Sequence, residues 1–313
     1  MADPTVDTLI AQHAETARLL GVDFLPLGNA ASGADVQTDS GPADPDPITA
    51  DRPARSDEIG SEMETKPPES GTTVQAAVDL RSCHERFEDP GEQLEALRQR
   101  YIADAPHRHF VTDFNNIVFG EGDPEARLMF IGEAPGETED QTGRPFVGRA
   151  GQLLDKMIVA MGLSRESVYI CNVLKTRPPH NATPTSDEAA LCAPYLIEQI
   201  RIVRPEAIVT LGLPATRLLL ETGEPMRAMR GRWHTFPPGR ASSVPDLSPM
   251  SDPDLPEIPV MPTYHPAYLL RSYTEENRRK VWSDLCMVRD RLGLPAKAQS
   301  RQRAALKKAE FLG

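Results

Sequence analysis

Three short segments of the 313-residue chain hold the side chains that could do chemistry. Gly132-Glu133-Ala134-Pro135-Gly136 is followed by Glu139 and Asp140 and then by Gly143-Arg144-Pro145-Phe146-Val147-Gly148. Asn172 precedes a second run, Lys175-Thr176-Arg177-Pro178-Pro179. His265 opens a third with Pro266-Ala267-Tyr268-Leu269-Leu270-Arg271. Together they supply carboxylates (Glu133, Glu139), an amide that both donates and accepts, a histidine, an aromatic ring and several cationic heads. Such a set suits proton transfer, placement of a water and stabilisation of charge developing on a bound group. Other chemistries find no support. There is no Gly-x-x-x-x-Gly-Lys-[Ser/Thr] run to cradle a nucleotide phosphate. Gly120-Glu121-Gly122 lacks the third glycine of a dinucleotide fingerprint. Cys83, Cys171, Cys192 and Cys286 form no Cys-x-x-Cys pair, so neither a zinc site nor a disulfide framework is expected.

These segments matter only if they meet, and hydrophobic periodicity places each at the end of a strand. Arg127–Ile131, Ser167–Val173, Pro205–Gly212 and Val260–Tyr264 read as strands. Gly148–Met161, Thr185–Val203, Pro214–Thr222 and Glu275–Leu292 read as helices, with Thr185 and Glu188 spaced as a capping box. The alternation predicts an α/β fold, a three-layer α/β/α sandwich with a four-stranded parallel central sheet. Open parallel sheets bind ligands beyond the carboxyl ends of their strands. The first, second and fourth strands run into the three segments, which therefore converge on one rim. Gly132 and Gly136 would let the backbone approach a ligand closely.

The flanks differ in character. Residues 1–75 read as an acidic, mostly disordered region, because 24–75 has too few large apolar side chains to offset its ordering entropy. A short helix near 5–20, with Val6, Leu9, Ile10, Ala17 and Leu20 on one face, is available to dock an unidentified protein. A domain spanning 76–295 follows. It has a helical lead-in over 76–104, interrupted at Asp89-Pro90-Gly91, and an inserted loop over 237–259 that contains seven prolines. Residues 296–313 form a basic tail. The first 100 residues hold 20 acidic and 8 basic side chains, the whole of the net charge of −12. From His265 onward 11 bases face 5 acids, so the overall acidity does not argue against a polyanionic partner. No apolar run approaches the roughly 20 residues of a membrane helix, and Met1-Ala2-Asp3-Pro4 begins no signal peptide. A cytoplasmic monomer without membrane contact is the expectation.

The three segments identify a resemblance. Gly132–Gly136 with Glu139-Asp140 and Gly143–Gly148, Tyr169–Asn172 with Lys175–Pro179, and His265–Arg271 resemble, in order, the motifs of the uracil-DNA glycosylase superfamily, family 4 type. Val118–Pro124 and Trp282–Leu285 extend the resemblance over about 117–293. It implies a uracil-DNA glycosylase-like fold and hydrolysis of the N-glycosidic bond of deoxyuridine flipped out of DNA, initiating base excision repair. It also implies roles. His265 donates to the uracil O2, Asn172 reads O4 and N3–H, Phe146 stacks on the ring, and Ala134 lies in the backbone that approaches the base. Glu133 and Glu139 are the acids available to position water or stabilise the sugar cation. Leu269 or Leu270 supplies an apolar wedge, and Lys175, Arg177 and Arg271 contact DNA phosphates. A glycosylase for hypoxanthine or xanthine, or a lesion-binding module without catalysis, would share much of this sequence.

One feature of the family is missing. Members usually hold a [4Fe-4S] cluster on four cysteines. Two form a Cys-x-x-Cys pair before the Val-Phe-Gly-Glu-Gly segment, where this chain has Ala105–Asn116 without a cysteine. The third position is Thr176, and only Cys192 matches a ligand. One thiolate cannot hold such a cluster, so no metal and no cofactor are expected.

Overall fold

The computed structural model describes residues 80–237 and 257–295. The expectations for 1–75, for most of the insertion 237–259 and for the tail 296–313 lie outside the described residues. Among the described residues, six strands form one sheet: β1 (Glu121–Gly122), β2 (Leu128–Gly132), β3 (Tyr169–Asn172), β4 (Ala207–Leu211), β5 (His234–Phe236) and β6 (Ile258–Thr263). Their order is β1-β3-β2-β4-β6-β5. The four inner strands pair in parallel, and β1 and β5 close the edges antiparallel. The expected four-stranded parallel sheet is therefore corrected to a six-stranded mixed one. Two- and three-residue strands are too short to show an alternation in sequence.

The inner strands are apolar on both faces. Met129 and Ile131 of β2 join Tyr169, Ile208 and Val260 in one buried cluster, while Leu128 and Phe130 join Ile170, Val209 and Met261 in another. Successive strand side chains point to opposite faces, so each cluster belongs to one side of the sheet. Helices α2 (Pro90–Asp104), α5 (Ser186–Val203) and α6 (Leu213–Leu220) supply the first cluster. Helices α4 (Arg149–Ala160) and α9 (Glu275–Arg291) supply the second. Helices thus cover both faces of the α/β sheet. None among the described residues is long and apolar enough to cross a membrane.

Helix ends explain much of the chain's punctuation. The capping box before α5 is complete: the Glu188 carboxylate accepts from Thr185 N at 2.7 Å, and Thr185 Oγ1 accepts from Glu188 N at 3.2 Å. Asp89-Pro90-Gly91 marks the start of α2. Asp89 accepts from Glu92 N at 2.9 Å, and Pro90 needs no donor at the first helical position. A single turn, α1 (Arg81–His84), precedes it. Parts of two of the rim segments, Glu137–Thr142 (α3) and Pro266–Arg271 (α8), are short helices, and α7 (Met226–Met229) leads to β5.

Candidate active site

The ends of β2 and β3 lie side by side, with Gly132 registered against Asn172. A Cβ on Gly132 would come within 2.3 Å of Asn172 Oδ1 and 2.4 Å of the Phe146 ring. Gly132 is therefore the point where amide and ring meet, and a side chain there would fill the space between them. Phe146 is buried and has a left-handed backbone (φ +50°) that a bulky residue adopts only when its surroundings impose it. Here Arg165 Nη1 donates to Phe146 O at 3.0 Å and to Asp155 at 2.8 Å. Gly151 leaves room for the same carbonyl, since a Cβ there would lie 1.9 Å from it. The Phe146 and His265 ring centroids are 5.6 Å apart. Asn172, Phe146 and His265 thus gather around Gly132 and Gly212, beside which His265 packs.

Asn172 is 1% exposed, and its side-chain oxygen is buried without a hydrogen-bond partner. An unmet buried acceptor costs about 1–3 kcal/mol, so this atom is suited to an incoming donor. His265 caps α8, its Nδ1 accepting from Ala267 N at 3.1 Å. Burial, aided by the charge of Arg271, pulls its pKa down to about 4. The ring is neutral at pH 7, and with Nδ1 accepting, its proton sits on Nε2 as a donor. Burial also raises the pKa of Glu133 above the ordinary carboxylate value, against the opposing effects of a Thr183 hydrogen bond and the Arg271 charge. Ala134 is half-buried and packs on the core behind this loop.

Other side chains are placed differently from the sequence reading. Glu139 Oε1 accepts from Val147 N at 2.9 Å and Gly148 N at 2.7 Å. It clamps α3 to the start of α4, where a negative charge also suits the helix dipole. It thus holds the turn that carries Phe146. Lys175 is corrected outright as a phosphate contact. It is fully buried, donating to Asn172 O at 2.7 Å and Gln199 Oε1 at 2.5 Å, with its ammonium 5.3 Å from the Phe119 ring. Leu269 is likewise corrected as a wedge, because it is buried in the core against α4 and α9. Leu270 and Arg271 are exposed. Arg177 is half-buried, its Nε donating to Asn181 Oδ1 at 2.9 Å.

Asp140, Arg165 and Thr183 carry no chemical role that the sequence alone reveals. Asp140 is fully buried. Its carboxylate accepts from Asn115 N at 2.7 Å, Asn116 N at 3.0 Å and Asn115 Nδ2 at 2.6 Å. The only signal in the sequence was its place beside Glu139. The residues at the implied cluster position do not fit an iron–sulfur cluster. Thr176 is buried, and Cys192 is buried against Tyr101. Among the described residues no three His, Cys, Asp or Glu side chains are grouped to hold a metal ion.

Residues 119–286 match the uracil DNA glycosylase superfamily. A type-4 uracil-DNA glycosylase of Thermotoga maritima is 43% identical over 170 residues, which cover 54% of this chain and 80% of the relative. One of Sulfurisphaera tokodaii is 43% identical over 176 residues, covering 53% and 73%. A type-5 uracil-DNA glycosylase of Pyrobaculum aerophilum is 37% identical over 115 residues, covering 32% and 50%.

Proposed function

The chain belongs to the uracil DNA glycosylase superfamily, and on that premise we propose that it is a hydrolase that excises uracil from DNA by cleaving the N-glycosidic bond, opening base excision repair. The observation that carries the reading to this pocket is the partnerless, buried Asn172 Oδ1 beside the Phe146 ring. Uracil presents N3–H, which this oxygen would accept, and O4, to which the Asn172 amide would donate. Cytosine presents an acceptor at N3 and an amine at C4, so the same amide would meet it acceptor to donor only after turning over. A flipped uracil would lie on the Phe146 ring.

Cleavage leaves electron density on the departing uracil and a cationic sugar. The neutral His265, with its proton on Nε2, would donate to O2 as that charge grows, without itself being an acid at pH 7. Glu133, acting as the carboxylate, would face the sugar cation and hold the attacking water; the water oxygen bonds to C1′ and one of its protons passes to Glu133, while the C1′–N1 electron pair leaves with uracil as the N1 anion. Its partial burial strengthens both effects. Glu139 acts at one remove, through the Val147–Gly148 turn. The exposed Leu270 is the wedge for the emptied base stack, and Arg271 and Arg177 are the phosphate contacts. None of these steps asks for a cofactor.

Single-turnover excision from an oligonucleotide carrying one deoxyuridine, read by alkali cleavage, tests this. Wild type should cleave at uracil, and Asn172→Ala and His265→Ala should each lose on the order of 10²-fold or more while remaining folded. Release of hypoxanthine in preference to uracil would make this a glycosylase for that base. Folded wild type that binds uracil DNA but releases no base would make it a lesion-binding module.

A further inference from the structure

We infer that a metal-free staple, built from a buried aromatic stack and the Asp140 carboxylate, holds the segment that an iron–sulfur cluster would otherwise tie down. The segment 105–118 has almost no secondary structure beyond one 3-10 turn, Pro106–His109, yet it must be held against the end of β3. Two backbone hydrogen bonds lay it along the second motif: Val118 N to Lys175 O at 2.7 Å and Asp113 N to Arg177 O at 3.0 Å. Rings fill the space between it and α5. Tyr101 is wholly buried, stacks on His107 at 5.7 Å and meets Tyr195 edge-on at 4.9 Å, and His107 meets Phe114 edge-on at 4.8 Å. The Tyr101 hydroxyl lies against Cys192 and Thr176, the two side chains at implied ligand positions on α5 and after β3. Aromatic side chains therefore occupy the ground between those positions. Edge-on and offset rings add to the stability that their burial already provides.

The other half of the staple is polar. Asp140 ends three hydrogen bonds from Asn115 and Asn116, and Asn116 Nδ2 donates back to Asp140 O at 2.7 Å. Asp140 sits on α3 next to Glu139, which clamps the turn bearing Phe146. The staple thus reaches the pocket from one side through α3 and from the other through Lys175, whose ammonium grips Asn172 O. Asp140 is a positioning residue. Its link to excision rests on the function proposed above, but the staple itself does not.

The full-length protein, prepared without oxygen from iron-replete cells, should contain far less than one iron and one acid-labile sulfide per chain. It should lack the broad visible absorption of a cluster. An iron chelator or ferricyanide should leave its Tm unchanged. Cys192→Ala should lower Tm by no more than about 4 °C, the cost of a small cavity, whereas Tyr101→Leu should lower it by about 6 °C or more. Asp140→Ala should lower both Tm and the single-turnover rate. Asp140→Asn should recover most of both, because one amide oxygen can still accept from the Asn115 and Asn116 N–H groups. Stoichiometric iron and sulfide whose colour disappears in Cys192→Ala would overturn the inference, as would a Tyr101→Leu protein of unchanged Tm. Should Tyr101→Leu fail to fold, the iron content and Cys192→Ala decide the matter alone.

Discussion

Burial and charge set the protonation of Glu133 and His265 in the proposed site. Burial pushes both toward the neutral form, and Arg271 acts on both, partly opposing burial at Glu133 and adding to it at His265. The proposed reaction uses Glu133 ionised, so the single-turnover rate should fall as pH drops through its raised pKa. Glu133→Gln should lose on the order of 10²-fold and flatten that limb of the profile. Stability should move the other way. A carboxyl whose folded pKa is raised contributes its stabilisation below the unfolded pKa and loses it as pH rises through the folded value. Glu133→Gln should therefore be more stable than wild type at neutral pH in urea titrations and lose that advantage in acid. The residue types of this site were legible from the chain alone, because Glu, Asn and His have few chemical meanings in this order. Their protonation was not, because it depends on burial and on Arg271, which only the folded chain brings near.

Helix α8 shows what one turn of secondary structure decides. As a loop, Leu269 and Leu270 would be equivalent candidates for a wedge. As a helix capped by His265, the segment turns Leu269 into the core and Leu270 outward. Leu269→Ala should lower stability by about 2–5 kcal/mol, read by denaturant unfolding, whatever it does to catalysis. Leu270→Ala should leave stability within about 0.5 kcal/mol and weaken excision from duplex more than from single-stranded substrate, because only the duplex needs its stack filled. The same logic removed Lys175 from the DNA surface: it lies three residues past Asn172, where the chain turns inward and its ammonium meets the Asn172 and Gln199 oxygens. Long periodic segments such as α5 and β2 were readable because burial of one face or of both imposes a pattern over many residues. The edge strands and the one-turn helices were not, being shorter than the period that would reveal them.

At the scale of the whole molecule, charge is divided along the chain. The first 100 residues carry the entire net charge of −12, and the segment from His265 onward carries an excess of bases. Acidic side chains repel a polyanion, most strongly where salt screens least. Removing residues 1–75 should therefore tighten binding to uracil-containing DNA at low ionic strength, with the difference fading toward high salt. Equal affinity of the truncated and full chains at low salt would dismiss the repulsion. The amino-acid sequence by itself determined that strands and helices alternate, that three polar segments end three of those strands, and that cysteines are lacking where a cluster would need them. These are properties of local pattern and composition, which each stretch of chain carries regardless of its neighbours. Tertiary structure alone decided that Asn172 keeps a buried, partnerless oxygen beside Phe146, that Glu139 and Asp140 of one helix tie down different segments, and that the Tyr101 hydroxyl lies against Thr176 and Cys192 while its ring stacks on His107. Each of these depends on which distant groups share a volume, and close packing settles that only when the whole chain has folded.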